Sequence, residues 1–119
     1  VDEISIEKEV AYADIPNFPV ATVEFQLAKD KFCEHMHQQG FVHSVGPLGE
    51  RVSNTPMDTD NERPLQFYFL SYFQDRTQCD QAYELIEQAV EPSVSIHRAM
   101  IAKVRDAVFT CWNELEPTK

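Results

Sequence analysis

The densest group of residues that could bind a metal lies between positions 33 and 43. Cys33 and His37 are four residues apart, so on a helix they would share a face and could supply two ligands, with His43 reaching in from the next segment. The spacing supplies no clear further ligand, and a helical wheel turns His37 away from the apolar stripe of Phe32 and Met36. The pattern favours surface histidines and a half-buried cysteine at a helix end, so we predict no metal site.

His97 is the candidate for acid–base catalysis. It lies within an apolar stripe formed by Ile96, Met100, Ile101 and Val104. A neutral imidazole can accept a proton near pH 7, which would make His97 a catalytic base. An imidazole that faces a core also needs a hydrogen bond, because a buried polar group without one costs free energy. The pattern therefore favours a structural histidine beside Trp112 or a backbone carbonyl, and the catalytic interpretation stays open beside it.

Four further residues are candidates for ligand binding: Glu24, Tyr68, Tyr72 and Trp112. Aromatic walls with a single carboxylate suit a flat or cationic organic ligand. The same residues suit packing against a second copy of the chain, which is the more ordinary interpretation. The two interpretations are compatible.

Common cofactor motifs do not occur in the sequence. Asp58, Asp60 and Glu62 match the first, third and fifth positions of a calcium loop, but the sixth position is Arg63 and the twelfth is not glutamate. The patterns GxGxxG, GxSxG, HExxH and Walker A do not occur, and three glycines give little material for a phosphate loop. We therefore predict no cofactor.

Hydrophobic periodicity predicts the elements that position these residues. Apolar residues at a spacing of two indicate strands, and spacings of three and four indicate helices. In chain order, the pattern predicts a strand over 19–27, a helix over 28–39, a strand over 41–53 broken at Gly46 and Pro47, a loop over 54–64, a central strand over 65–74, a helix over 77–90 capped by Asp75 or Thr77, a helix over 93–105 and a strand over 106–115. Residues 1–17 hold five acids and are interpreted as an N-terminal arm with room for a short extra strand, followed by one α+β domain over 18–119.

The element order β-α-β-β-α-(α)-β is the ferredoxin-like pattern. It predicts an antiparallel sheet that carries both main helices on one face and leaves the other face bare. The bare face is predicted to hold Val20, Thr22, Glu24, Tyr68, Leu70, Tyr72 and Trp112. Such a large apolar patch usually marks an interface or a ligand cleft, and a symmetric homodimer would cover it.

Over about residues 19–115, the chain resembles the dimeric α+β-barrel superfamily in element order. It also has a short extra helix, VSIHRAMIAKV, just before the last strand, DAVFTCW. The resemblance implies pairing of two chains by their sheet faces. The superfamily includes cofactor-independent monooxygenases, haem-degrading enzymes, lactone isomerases and dye-type peroxidases, but no catalytic signature of one member family is matched. The resemblance therefore predicts a fold and no particular chemistry.

The composition of the chain argues against some kinds of binding partner. The chain has 119 residues and a net charge of −10, which repels phosphate and argues against a nucleic-acid partner. No apolar run reaches the ~18–20 residues of a membrane helix, and residues 1–17 do not resemble a signal peptide. Cys33, Cys79 and Cys111 form no CxxC motif, which predicts reduced thiols in a cytoplasmic protein.

Three functions fit these observations. The first is a homodimeric domain that binds a small aromatic or apolar ligand at the aromatic sheet face. The second is a cofactor-independent monooxygenase or isomerase of the same superfamily, with His97 or a tyrosine as the reactive group. The third is an acidic inhibitor or immunity-type protein, because a charge of −10 would speed association with a basic partner.

Overall fold

The order of elements along the chain is the predicted one. The computed structural model describes residues 7–14, 20–62 and 65–115. The elements are β1 (Glu7–Asp14), α1 (Val20–Gln38), β2 (Ser44–Val45), β3 (Gly49–Glu50), β4 (Phe67–Phe73), α2 (Arg76–Glu87), α3 (Ser93–Ile101) and β5 (Arg105–Asn113). The strand predicted over 41–53 is split into β2 and β3 around Gly46 and Pro47, as the sequence suggested.

The sheet is antiparallel, with β1 at its centre. β1 pairs with β4 on one side and with β5 on the other, and both β2 and β3 pair with the far edge of β4. This is the ferredoxin-like arrangement. The described part of the predicted N-terminal arm is therefore the central strand of the sheet, whereas residues 1–6 and 15–17 of that arm lie outside the described residues.

The prediction of a strand over 19–27 is wrong, because the chain is helical from Val20 onward. The alternating apolar residues of this segment also fit the start of a helical stripe. Phe25, Lys29, Cys33 and Met36 are all buried, and their spacings of four, four and three place them on one helical face. Val23 and Leu27, which the strand interpretation counted with Phe25, are instead exposed.

The strand predicted over 65–74 is confirmed as β4, an inner strand that has β1 on one side and β2 and β3 on the other. Its burial alternates along the chain: Phe67, Phe69, Ser71 and Phe73 are buried beneath the helices, while Tyr68, Leu70 and Tyr72 point the other way. Two apolar clusters fill the space between the helices and the first of these faces. One joins Phe25 and Met100 to Phe69, and the other joins Met36 and Ala82 to Phe73. The helices therefore cover one face of the sheet, as predicted.

The remaining helices begin close to their predicted starts. The Asp75 carboxylate accepts a hydrogen bond from the Gln78 N–H at 2.8 Å, which caps α2 as predicted. At the start of α3, the Ser93 hydroxyl is 2.6 Å from Nε2 of His35 on α1, and this contact joins the two helices.

The loop between β3 and β4 is organised by Arg51. Its guanidinium bonds the Asp58 carboxylate through two nitrogens, and it also donates to the Asp60 carbonyl at 2.6 Å and to Gln66 Oε1 at 2.8 Å. The hydrogen bond from Arg51 lowers the pKa of Asp58 below its ordinary value. The Asp58 carboxylate is thus bound to a guanidinium.

Candidate functional site

Strand register places an aromatic surface on the face of the sheet opposite the described helices. In the ladder across β1, Tyr72 lies level with Trp112, Leu70 with Thr110, and Tyr68 with Val108. We call this surface, formed by Tyr68, Leu70, Tyr72, Val108, Thr110 and Trp112, the open face. Trp112 is 56% exposed, and its Nε1 donates to Thr110 Oγ1 at 2.8 Å along the same face.

The Tyr68 ring rests on Gly49 of the neighbouring strand β3. A Cβ at Gly49 would come within 2.1 Å of the Tyr68 ring, so this contact depends on glycine. Tyr68 nevertheless stays 42% exposed. The contact with Gly49 thus fixes the Tyr68 ring at the β3 edge of the open face without burying it.

Glu24 is not part of this surface. The prediction that it shares a sheet face with Tyr68 and Tyr72 is wrong, because Glu24 lies on α1 and is exposed. Val20 and Thr22, which were also expected on the bare face, belong to the same helix. The open face therefore carries the three predicted aromatic residues without the predicted carboxylate.

A cleft of about 710 Å³ lies on the other side of the sheet, beneath the helices. It is bounded by α1, α2, α3 and the helix-facing residues of β4, β1 and β5, and Trp112 of the open face also borders it. Its walls are mainly apolar, and they include Phe32, Met36, Tyr83, His97, Phe109 and Cys111. Arg76, Asp80 and Asn113 also border the cleft, and Arg76 Nε donates to Asp80 Oδ1 at 2.9 Å. The cleft resembles a small-molecule site in its size and its composition.

His97 faces this cleft from α3 and is separated by the sheet from Tyr68 and Tyr72. Its ring contacts Phe32 with the centroids 5.1 Å apart and the planes tilted by 57°. Burial lowers the pKa of His97 below its ordinary value of 6.5, because the apolar surroundings disfavour the charged ring. Burial therefore favours the neutral imidazole, which is the form that can accept a proton.

The ordinary interpretation of His97 was a hydrogen bond to Trp112 or to a backbone carbonyl. Within 7–14, 20–62 and 65–115, the His97 ring makes no hydrogen bond by the usual distance and angle limits. The Trp112 indole instead donates to Thr110 on the opposite side of the sheet. The part of the chain that the structure describes thus gives His97 an aromatic contact and a cleft, and no fixed polar partner.

The cysteine–histidine cluster of α1 is dispersed. Cys33 is buried in the core, His37 is exposed, and His35 contacts Ser93. Among the described residues, no group of three or more histidine, cysteine or acidic side chains is placed to hold a metal ion.

The cleft is lined by two residues that were not predicted to belong to a site, Cys79 on α2 and Cys111 on β5. The alternation of β5 already separates Phe109 and Cys111 from Thr110 and Trp112. Only the register through β1 shows which of these sets faces the helices: Cys111 is level with Ser71, which is buried beneath them.

The sheet order and the single helical layer define a ferredoxin-like α+β domain with a cleft under its helices. Solved structures of this class resemble it over nearly the whole chain. The Arabidopsis thaliana protein At3g17210 superposes with a TM-score of 0.67 at 11% identity, covering 95% of this chain and 99% of that one. A dimeric ferredoxin-like protein of unknown function from Thermobifida fusca gives 0.61 at 10% identity, covering 94% and 93%.

An antibiotic biosynthesis monooxygenase gives a TM-score of 0.58 at 18% identity, covering 92% of this chain and 99% of that one. The chain thus has a ferredoxin-like α+β fold, as the element order predicted. No family model and no curated protein matches the sequence. In the described part of the chain, no helix is long and apolar enough to cross a membrane.

Proposed function

We propose that the protein is a homodimer that binds a small, flat, apolar ligand in the cleft of each protomer. The observation that carries the ligand proposal is the cleft itself. Its volume of about 710 Å³ falls within the range of ~300–1,000 Å³ that is usual for small-molecule sites. Aromatic side chains from three elements, Phe32, Tyr83 and Phe109, line it. Flat apolar molecules bind well between such rings.

The open face supports the dimer part of the proposal. It combines a mostly exposed tryptophan with a half-exposed tyrosine and valine, an arrangement that is costly in water. A second copy of the same face would cover it with symmetric contacts. The description of the Thermobifida fusca protein as dimeric agrees with this assembly. In this arrangement the open face and the cleft lie on opposite sides of the sheet, and Trp112 borders both.

The ligand site can be tested by recording amide chemical shifts of the ¹⁵N-labelled protein during titration with a panel of flat aromatic compounds. The expected result is perturbation at Cys79, His97 and Phe109, with little change at Tyr68 and Tyr72. Perturbation confined to Tyr68 and Tyr72 would move the ligand to the open face and contradict the proposal.

Two adjacent positions on β5 provide a matched pair of variants. Cys111→Trp places a large side chain in the cleft and is expected to reduce ligand affinity at least tenfold. Thr110→Trp places the same side chain on the open face and is expected to leave the affinity nearly unchanged. Equal effects of the two substitutions would show that bulk in the cleft is not what blocks binding.

A second candidate function is catalysis in the same cleft, and the neutral His97 favours it. As a base, the imidazole would take a proton from an acidic C–H or O–H group of the bound ligand. Return of the proton to a different atom of the anion would complete an isomerisation, whereas a monooxygenase reaction would require the anion to react with molecular oxygen as the oxidant. The fold is shared with an antibiotic biosynthesis monooxygenase. The test is exchange of the ligand's acidic hydrogen in D₂O, followed by NMR. His97→Gln should abolish catalysed exchange while it preserves binding; exchange at the original rate would remove His97 as the base.

A further inference from the structure

Helix α2 covers the cleft, but it is attached to the core along a narrow seam. The structure describes all of α2, and Ala82 is its only buried residue. Half-buried Leu85 also packs against the core cluster that contains Ala82 and Phe73. The side of α2 that lines the cleft is much less covered, since Tyr83 is 69% exposed. On the opposite wall Phe109 is 47% exposed, so apolar surface meets water on both sides of the cleft.

The two ends of α2 are held differently. At its first turn, the Gln78 side chain accepts a hydrogen bond from the Gln74 N–H at 2.7 Å and donates one to the Gly40 carbonyl at 3.0 Å, in addition to the helix cap described above. Beyond its last turn, the chain continues into residues 88–92, all of which are exposed. Segments with few buried contacts open at the lowest cost in free energy. The first turn of α2 is therefore fixed, and a movement of the helix would be taken up at residues 88–92.

Ala89 lies within this exposed segment in an unfavourable backbone conformation. Its φ is 56°, in the left-handed region, where the Cβ of any residue except glycine costs free energy. Two hydrogen bonds of 3.1 Å close the turn, from the Ala89 N–H to the Ile86 carbonyl and from the Val90 N–H to the Leu85 carbonyl. This is a Schellman motif with alanine at the position that glycine usually occupies. A change of conformation at this turn would relieve the strain at Ala89 and move the C-terminal half of α2.

We propose that α2 is a movable cover, which closes on the bound ligand when its C-terminal half swings toward β5 and Ala89 leaves the left-handed region. This inference rests on the proposed ligand site and adds a conformational step to it. Closure on an empty cleft would leave a void whose lining lacks contacts, whereas closure on a flat ligand would bring Tyr83 and Ile86 against it. The open position therefore admits the ligand, and the closed position excludes water from it.

Residual dipolar couplings of the ¹⁵N-labelled protein measure the orientation of α2 directly. The probe is 2-naphthol, a flat and uncharged aromatic compound. In the free protein, the couplings of α1, α2 and α3 should all fit the described structure. At saturation with 2-naphthol, α1 and α3 should still fit it, and α2 should require a new orientation. An unchanged orientation of α2 at saturation would overturn the proposal.

Two glycine variants provide a matched pair, because Ala89 and Asp106 are the non-glycine residues with positive φ in the described part of the chain. Ala89→Gly removes strain from the open position only, so the closed position becomes harder to populate. The Kd for 2-naphthol should rise about five- to thirtyfold, although the variant resists urea better than the wild type. Asp106 has a φ of 51° at the start of β5, and Asp106→Gly should leave that Kd nearly unchanged. A wild-type Kd in Ala89→Gly would contradict the role of this turn.

Amide shifts recorded in the same titration separate failure of the cover from failure of the ligand site. If 2-naphthol perturbs His97 and Phe109 while α2 keeps its orientation, the ligand site stands and only the movable cover is overturned. If 2-naphthol leaves the shifts of His97 and Phe109 unchanged, both proposals fail for this probe. Perturbation of His97 and Phe109 together with reorientation of α2 supports both.

Discussion

Truncation of Trp112 to alanine tests the proposed dimer at its largest exposed side chain. A tryptophan can bury up to ~250 Å², so the 56% exposed fraction of Trp112 corresponds to about 140 Å² that a partner could cover. At ~25 cal/mol per Å², covering this area would stabilise the dimer by about 3.5 kcal/mol per protomer. Both protomers carry the substitution, and alanine replaces part of the contact, so we expect a loss of about 4–7 kcal/mol. This corresponds to an increase in the dimer Kd by a factor of ~10³–10⁵.

Sedimentation velocity over a dilution series measures this Kd directly. Phe109→Ala is the matched control, because Phe109 lies on the same strand and is 47% exposed but faces the cleft. Its truncation should leave the dimer Kd nearly unchanged. Circular dichroism should show that both variants keep the wild-type fold. A wild-type protein that stays monomeric at every concentration, or a Phe109→Ala effect as large as that of Trp112→Ala, would refute the reasoning.

Three further predictions concern stability and can be measured by urea unfolding. Met36→Ala should lower the free energy of unfolding by about 2–5 kcal/mol because the Met36 side chain is only 2% exposed. Met57 is 89% exposed, so Met57→Ala should change the free energy of unfolding by less than ~0.5 kcal/mol. Similar losses in the two variants would contradict the described core. Burial lowers the pKa of folded His97, so the unfolded chain binds more protons and stability should fall as the pH drops below 6.5. His97→Gln should flatten that dependence, and an unchanged slope would exclude His97 as its source. The pKa of Asp58 is lowered by its hydrogen bond to Arg51, so Asp58 stabilises the fold above pH 3.8, and this stabilisation is lost as the pH falls through the pKa of Asp58 in the folded protein. Asp58→Asn should therefore reduce the loss of stability in acid. The same loss in the variant would count against the Arg51 contact.

The parts of the fold that could be predicted are those in which the spacing of apolar residues fits only one type of secondary structure. In β4, three phenylalanines and Ser71 alternate with two tyrosines and a leucine over seven residues, which is the period of a strand. The segment 19–27 has two solutions, because its alternation also provides Phe25 as the first residue of a helical stripe that continues through Met36. The strand that replaces it, β1, places alanines at 11 and 13 on its buried side, and such small side chains give a weak hydrophobic signal.

The candidate site was predictable only in part, for a similar reason. His97 and the three aromatic residues of the open face were identified from side-chain type and local spacing. The thiol of Cys111 was not, because its position in the cleft depends on pairing through β1, a strand that the sequence interpretation had assigned to an arm. Glu24 was misplaced by the same error in the first strand. The place of Cys111 in the cleft and the choice of β1 as the first strand both depend on pairing between strands that are distant in sequence.

The alanine at the centre of β1 controls how deep the cleft can be. Ala11 lies between Phe69 and Phe109 on the helix-facing side of the sheet, and it lines the cleft. Its single methyl group makes a depression between two rings, where any larger side chain would project into the cavity. The size of ligand that this protein accepts is therefore adjustable at one position in the sheet, without any change to the helices above it. Ala11→Val or Ala11→Leu would exclude the larger ligands from the cleft and would leave the open face unchanged.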